Sequence, residues 1–221
     1  MFWDEKTETH PKRDLEELQL KRLKKTVAQV QNVEFYRRLL GEAHVRPEDI
    51  RTLADIEKIP FTRKQDLRDG YPFGFFAVPI HEVVRIHTTS GTTGKPTVVG
   101  YTRNDLQTWA DLIARNMTMV GLTDRDIFQN MVNYGMFTGG LGFHYGAEKI
   151  GMTVIPSATG NTRRQIEMIQ DFGVTAIHCT PSYAMHLAEV AEETGAHLDS
   201  LTTGLFGAEP WSDAMRAELE K

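Results

Sequence analysis

Leu15, Leu18, Leu23, Val27 and Val30 recur at helical spacing through a charged stretch, so residues 12–31 read as an amphipathic helix. A second short helix is predicted around Glu34–Leu40, ending at Gly41. Thr52–Lys58 and Thr62–Asp69 read as short helices, each opened by a threonine cap. Tyr71–Pro79 is too rich in Pro, Gly and aromatics for a regular element. Glu82–Thr88 and Thr97–Tyr101 are β-branched runs on either side of a glycine-rich loop, a hairpin pattern. Thr102 or Asn104 then opens a helix to about Val120.

Beyond that helix the pattern becomes regular. Asp126–Val132, Met152–Pro156, Val174–Cys179 and Thr202–Phe206 read as strands. Helical patterns follow them at Leu141–Ile150, Thr162–Phe172, Pro181–Glu193 and from Ser212 onward. The strands begin roughly 25 residues apart, the βαβ period. The expected fold is therefore α/β: a mostly parallel sheet covered by helices, behind an N-terminal helical cap. Residues 1–80 form the helical and irregular region, and residues 81–221 the α/β region.

Composition narrows the picture without deciding it. The chain has 221 residues with a net charge of −5, which argues against a general nucleic-acid or anionic-membrane binder. The basic run Lys21–Lys25 falls on a helical pattern and reads as a solvated face. Cys179 is the single cysteine, which excludes internal disulfides and a cysteine-based zinc cluster. No stretch has the form of a signal peptide or a membrane span, so a cytoplasmic location is expected.

The chemistry concentrates in His87–Thr97, HTTSGTTGKPT. Glycines let the backbone approach a ligand closely, successive N–H groups form a concave nest, hydroxyls add donors and Lys95 adds charge. Phosphate is the natural guest. The loop is not a Walker A loop: Gly91 and Gly94 are too close, and Pro96 stands where a helix would open.

Tyr134, Gly135, Phe137, Gly139, Gly140 and Gly142 follow a predicted strand, and aromatic walls with glycine floors suggest a flat apolar slot. Tight strand–helix packing is the other reading of those glycines. His144 is expected at the amino end of the next helix, facing the slot, where the helix dipole favours neutral imidazole. A purely packing histidine stays open. His87 and His178, within strands, read as satisfied core histidines, and Cys179 as a small buried apolar group. Gly140-x-Gly142-x-x-x-Gly146 imitates a dinucleotide fingerprint, but the next strand lacks the acidic residue such a site needs.

TTSGTTGKPT resembles the phosphate-binding signature of the adenylate-forming superfamily of acyl-CoA synthetases and luciferase-like enzymes. Lys95 preceding Pro96, together with Tyr71–Pro79, Asn133–Gly151 and Leu205–Trp211, is similar to the phenylacetate–CoA ligase branch. The resemblance implies an ATP-dependent ligase that converts an arylacetic acid, phenylacetate first among them, to an acyl-adenylate and then to acyl-CoA. ATP, magnesium and coenzyme A are implied with it. Thr89, Ser90, Gly91, Thr92, Thr93, Gly94 and Lys95 would hold the phosphates, with Thr92 also a candidate magnesium ligand. Thr92, Lys95 and His144 are the candidate catalytic residues. Gly207, Ala208, Glu209 and Pro210 would border the adenine, and Ala208 also the acyl pocket. The resemblance further implies that the chain is the N-terminal half of such an enzyme, inactive by itself, and a homodimer or self-associating. An adenylyltransferase resembling those acting on deazaflavin cofactors, or a nucleotide-binding module without turnover, remain alternatives.

Overall fold

The computed structural model describes residues 1–89, 94–136 and 138–220. Two compact units divide the chain. Asp4–Leu106 forms one, and Gln107–Lys221 with Met1–Trp3 forms the other. The expected division at residue 80/81 and this one differ in where the hairpin goes: it lies with the N-terminal helices.

In the first unit α1 spans Glu5–Glu8, α2 Lys12–Val30 and α3 Glu34–Glu42. Val27, Leu40, Val45 and Ile50 are buried together, with Leu20, Leu23, Val30 and Ile59 packed around them. Leu23, Val27 and Val30 of the predicted apolar stripe thus face this cluster, whereas Leu15 is exposed. A 3-10 helix covers Leu53–Lys58, with Asp55 Oδ2 accepting the Thr52 N–H at 2.7 Å as a reciprocal cap. The next helix, α4, spans Lys64–Asp69 and is capped at Arg63, not at Thr62. Asp66 accepts the Arg63 N–H at 2.6 Å, while the Thr62 hydroxyl donates to Tyr36 Oη. A carboxylate three residues into the helix took over the capping role expected of the hydroxyl. β1, Val83–Thr88, pairs antiparallel with β2, Val98–Thr102.

The next helix, α5, spans Arg103–Met119, and the expected strand–helix rhythm follows it. The elements are β3 Ile127–Asn130, α6 Thr138–Ile150, β4 Thr153–Ile155, α7 Thr162–Phe172, β5 Ala176–Cys179, α8 Pro181–Thr194, β6 Thr203–Phe206 and α9 Asp213–Leu219. All four strands are parallel, in the order β4-β3-β5-β6. Gly173 and Gly195 end α7 and α8 in the left-handed conformation, φ 62° and 65°, which a side chain resists.

Alternation along the strands decides what each face meets. Phe128, Ala176 and Leu205 pack with Met117 of α5 and Ala147 of α6. Met131, Ile177 and Cys179 pack with Ile166 and Ile169 of α7 and Leu187 of α8. The sheet is therefore covered on both faces. The chain leaves β3 to one side, through α6, and leaves β5 to the other, through α8. This reversal opens a crevice at the carboxyl ends of β3 and β5, where open α/β sheets take ligands.

Candidate functional site

A cavity of about 630 Å³ occupies that crevice. Met131, Val132 and Asn133 line it after β3, and Thr138, Gly139, Gly140 and Phe143 from α6. Cys179, Thr180 and Tyr183 line it after β5, and Phe206, Gly207 and Ala208 after β6. His178 also faces it. The lining is overwhelmingly apolar, as is usual for a small-molecule pocket.

Gly140 is where the backbone comes closest. A Cβ there would stand 2.5 Å from the Asn133 carbonyl oxygen. Gly139 has no such neighbour. Ala208 adopts φ 73°, a left-handed conformation that costs an L-residue about 1 kcal/mol or more. Its neighbour Glu209 is not among the lining residues and accepts the Ser182 N–H at 2.6 Å, in the first turn of α8. Hydrogen bonds from the Ser182 side chain and backbone hold the Glu209 carboxyl below its usual range. The strand-end turn is thus fastened to a helix amino terminus.

A hydrogen-bonded chain runs through the sheet end beside the cavity. The Asn130 amide nitrogen donates to the Gly140 carbonyl at 2.8 Å and to Tyr134 Oη at 2.7 Å. A carbonyl can only accept, so the amide orientation follows, and Asn130 Oδ1 faces His178 Nδ1 at 2.9 Å. His178 is stacked on Phe143, centroids 3.8 Å apart. Burial drives its pKa down to about 4. Tyr134 Oη in turn meets His144 Nδ1 at 3.2 Å, and His144 Nε2 meets Glu148 Oε1 at 3.1 Å.

The expected site residues divide accordingly. Gly139, Gly140, Gly207 and Ala208 line the cavity; Tyr134, Gly135, Gly142, Glu209 and Pro210 do not. Gly142 serves packing, since a Cβ there would stand 2.6 Å from the Trp109 ring. His144 is not at the amino end of its helix. The helix begins at Thr138, a full turn earlier than expected, so His144 falls mid-helix between Tyr134 and Glu148. Burial, and secondarily the Glu209 charge, push the Cys179 thiol up to about 12, consistent with an inert apolar group. His178 was expected as a core histidine; it is buried and hydrogen-bonded, and it also faces the cavity. Its place as last-but-one residue of a parallel strand was the available signal.

In the other unit, the base of the glycine-rich loop is fastened across the hairpin. Thr89 N–H donates to the Thr97 carbonyl at 3.1 Å, and Thr97 N–H to the Thr89 hydroxyl at 3.0 Å. Gly94 has φ 135°, open only to glycine without strain. Lys95 is exposed, its Nζ 5.6 Å from the Tyr71 ring centroid. Ser90, Gly91, Thr92 and Thr93, like Phe137, lie outside the described residues. Among the described residues, no three His, Cys, Asp or Glu side chains come together as a metal site. No helix among them is long and apolar enough to cross a membrane.

Residues 5–221 match the AMP-binding enzyme family. The chain is 51% identical to phenylacetate-coenzyme A ligase of Thermus thermophilus, over all of this chain and 50% of that protein. It is 51% identical to the Escherichia coli phenylacetate-coenzyme A ligase, over 94% of this chain and 48% of that protein. Among solved structures, a 2-hydroxyisobutyryl-CoA ligase in complex with 2-HIB-AMP and CoA superposes with a TM-score of 0.93. That structure shares 30% identity, over 99% of this chain and 49% of the other. The chain spans about half the length of the relatives it matches. It belongs to the AMP-binding enzyme family.

Proposed function

We propose that this chain carries the acid- and phosphate-binding part of an ATP-dependent arylacetate–CoA ligase, for acids of which phenylacetate is the unsubstituted parent. The observation that carries the reading is the apolar cavity at the crevice between β3 and β5. The signature loop Thr89–Lys95 and the 51% identity to phenylacetate-coenzyme A ligases support it.

The chemistry follows from what a carboxylate lacks. It is a poor electrophile, and joining it to AMP turns it into a mixed anhydride open to thiol attack. The carboxylate oxygen attacks the α-phosphorus, the bond to the β-phosphate oxygen breaks, and pyrophosphate leaves. The thiol of coenzyme A then attacks the acyl carbon and AMP leaves. The protein's share is positioning and charge neutralisation. Lys95 and the loop N–H and hydroxyl groups are proposed to hold the leaving phosphates. Gly207 and Ala208 would let the flat adenine and the acyl group lie against the backbone. Magnesium would supply further charge neutralisation while bound to the nucleotide's own phosphate oxygens, with Thr92 its candidate protein ligand. His144 is given a supporting place behind Tyr134 instead of direct contact with the reacting carboxyl.

ATP–pyrophosphate exchange with phenylacetate tests the reading, on this chain and on one extended to the length of its relatives. Exchange that depends on the acid is expected from the extended protein. No exchange from either, with folded protein that binds ATP, would remove phenylacetate as the substrate.

A further inference from the structure

His178 lines the cavity, and one polar atom of its ring has no hydrogen-bond partner among the described residues. Its Nδ1 faces Asn130 Oδ1, an acceptor whose orientation is set by the Asn130 bond to the Gly140 carbonyl. Nδ1 therefore carries the proton, and Nε2 of the neutral ring carries a lone pair. The Phe143 stack, with rings 26° from parallel, fixes the plane of the imidazole, and the Asn130 bond fixes its spin. Nε2 has no hydrogen-bond partner among the described residues, although the residue is only 7% exposed. Burial opposes a second proton on the ring.

A lone pair held in an apolar cavity discriminates between ligand groups. It repels a carboxylate, so the acid's carboxyl end points elsewhere and its ring end comes to His178. An unsubstituted ring there would displace any bound water and leave Nε2 without a donor, a costly arrangement. A hydroxyl on the ring would supply the donor. Resting on the arylacetate reading of the cavity, we propose that His178 is a specificity-determining residue. It accepts a hydrogen bond through Nε2 from a ring hydroxyl, so that the cavity selects ring-hydroxylated arylacetates over phenylacetate itself.

Calorimetry on this chain tests the proposal with phenylacetate, 3-hydroxyphenylacetate, 4-hydroxyphenylacetate and 4-methoxyphenylacetate. One hydroxylated acid is expected to bind at least about tenfold more tightly than phenylacetate, because a site built around a hydrogen bond rejects the analogue that lacks it. The methoxy acid, similar in reach but without a donor, gains nothing. The hydroxyl preference disappears in His178→Phe and is partly retained in His178→Gln, which keeps an acceptor. Nitrogen-15 NMR supplies a readout independent of the variants: the His178 Nε2 resonance moves toward the hydrogen-bonded position with the hydroxylated acid only. Equal binding of all four acids overturns the His178 proposal and leaves the arylacetate reading in place. Binding of none overturns both. A hydroxyl preference that survives in His178→Phe, or that leaves the Nε2 resonance unmoved, overturns the proposal.

Discussion

His178 joins stability to site chemistry at the scale of a single residue. Its pKa falls from the ordinary 6.5 to about 4 in the folded chain, through burial. The unfolded chain therefore binds a proton that the folded chain refuses, and stability falls as the pH drops from about 6.5 to 4. The full effect is on the order of 3 kcal/mol. Asp49, Asp55, Asp111 and Glu209 have lowered pKa values and lose their contributions as the pH falls from the ordinary carboxylate range downward, so the window above that range excludes these carboxylates. Urea unfolding at pH 7 and pH 5 should show about 2 kcal/mol of this loss, and His178→Phe should flatten it; an unchanged slope in the variant would assign the loss elsewhere. Two adjacent glycines give a second test. Gly140→Ala must push against the Asn133 carbonyl, and it disturbs the helix that orients Asn130, so a loss of about 2 kcal/mol or more is expected. Gly139→Ala meets nothing and gains up to about 1 kcal/mol of helix propensity. Thermal unfolding of the pair should move in opposite directions. Sequence reading marked both glycines for the slot and could not separate them, because the separation depends on where Asn133 lies. It passed over His178 for a similar reason: a tautomer is set by long-range partners, and Asn130 lies 48 residues away.

At the scale of elements, sequence patterning was sufficient wherever one strong local signal settled the matter. The four parallel strands lie within the predicted runs, and α7 spans Thr162–Phe172 as predicted. Boundaries moved where a second local signal competed, as with Asp66 displacing Thr62 at α4, or where tertiary packing overrode the local signal, as with the early start of α6 at Thr138. That early start is what carried His144 away from the helix end. A glycine-rich opening has little helix propensity, so only the packing of Gly140, Gly142 and Gly146 against Asn133, Trp109 and Ile113 explains helix there. The start of α5 gives the cleanest test of a local signal. Thr102 Oγ1 accepts the Asp105 N–H at 3.2 Å, and Asp105 Oδ2 accepts the Thr102 N–H at 2.8 Å. This reciprocal cap satisfies donors that the first turn would otherwise leave open. Thr102→Ala should cost about 1 kcal/mol in chemical unfolding, and Thr102→Ser much less. Equal losses in both would point to the threonine methyl instead of the cap.

At the scale of the whole molecule, the sheet order was beyond the sequence, since a parallel strand's neighbours depend on crossovers and not on the strand's own residues. The order β4-β3-β5-β6 has a direct consequence for association. β6 pairs with β5 on one side, and no strand among the described residues pairs with its other side. Strand edges of this kind invite pairing with another chain unless charge, proline or a bulge blunts them. Thr203–Phe206 contains none of these: it reads TGLF, without charge or proline. Its residues continue directly into Gly207 and Ala208 at the cavity, so association along this edge would bear on the site as well. We therefore expect the 25.0 kDa chain to sediment with a weight-average mass that rises with concentration. Pairing backbone to backbone is insensitive to salt, whereas association through surface charges weakens as salt screens them. Sedimentation equilibrium at low and high ionic strength distinguishes the two. A single 25.0 kDa species at every concentration would show that the edge is protected in solution. A mass increase that salt abolishes would assign association to charged surfaces and leave β6 out of it.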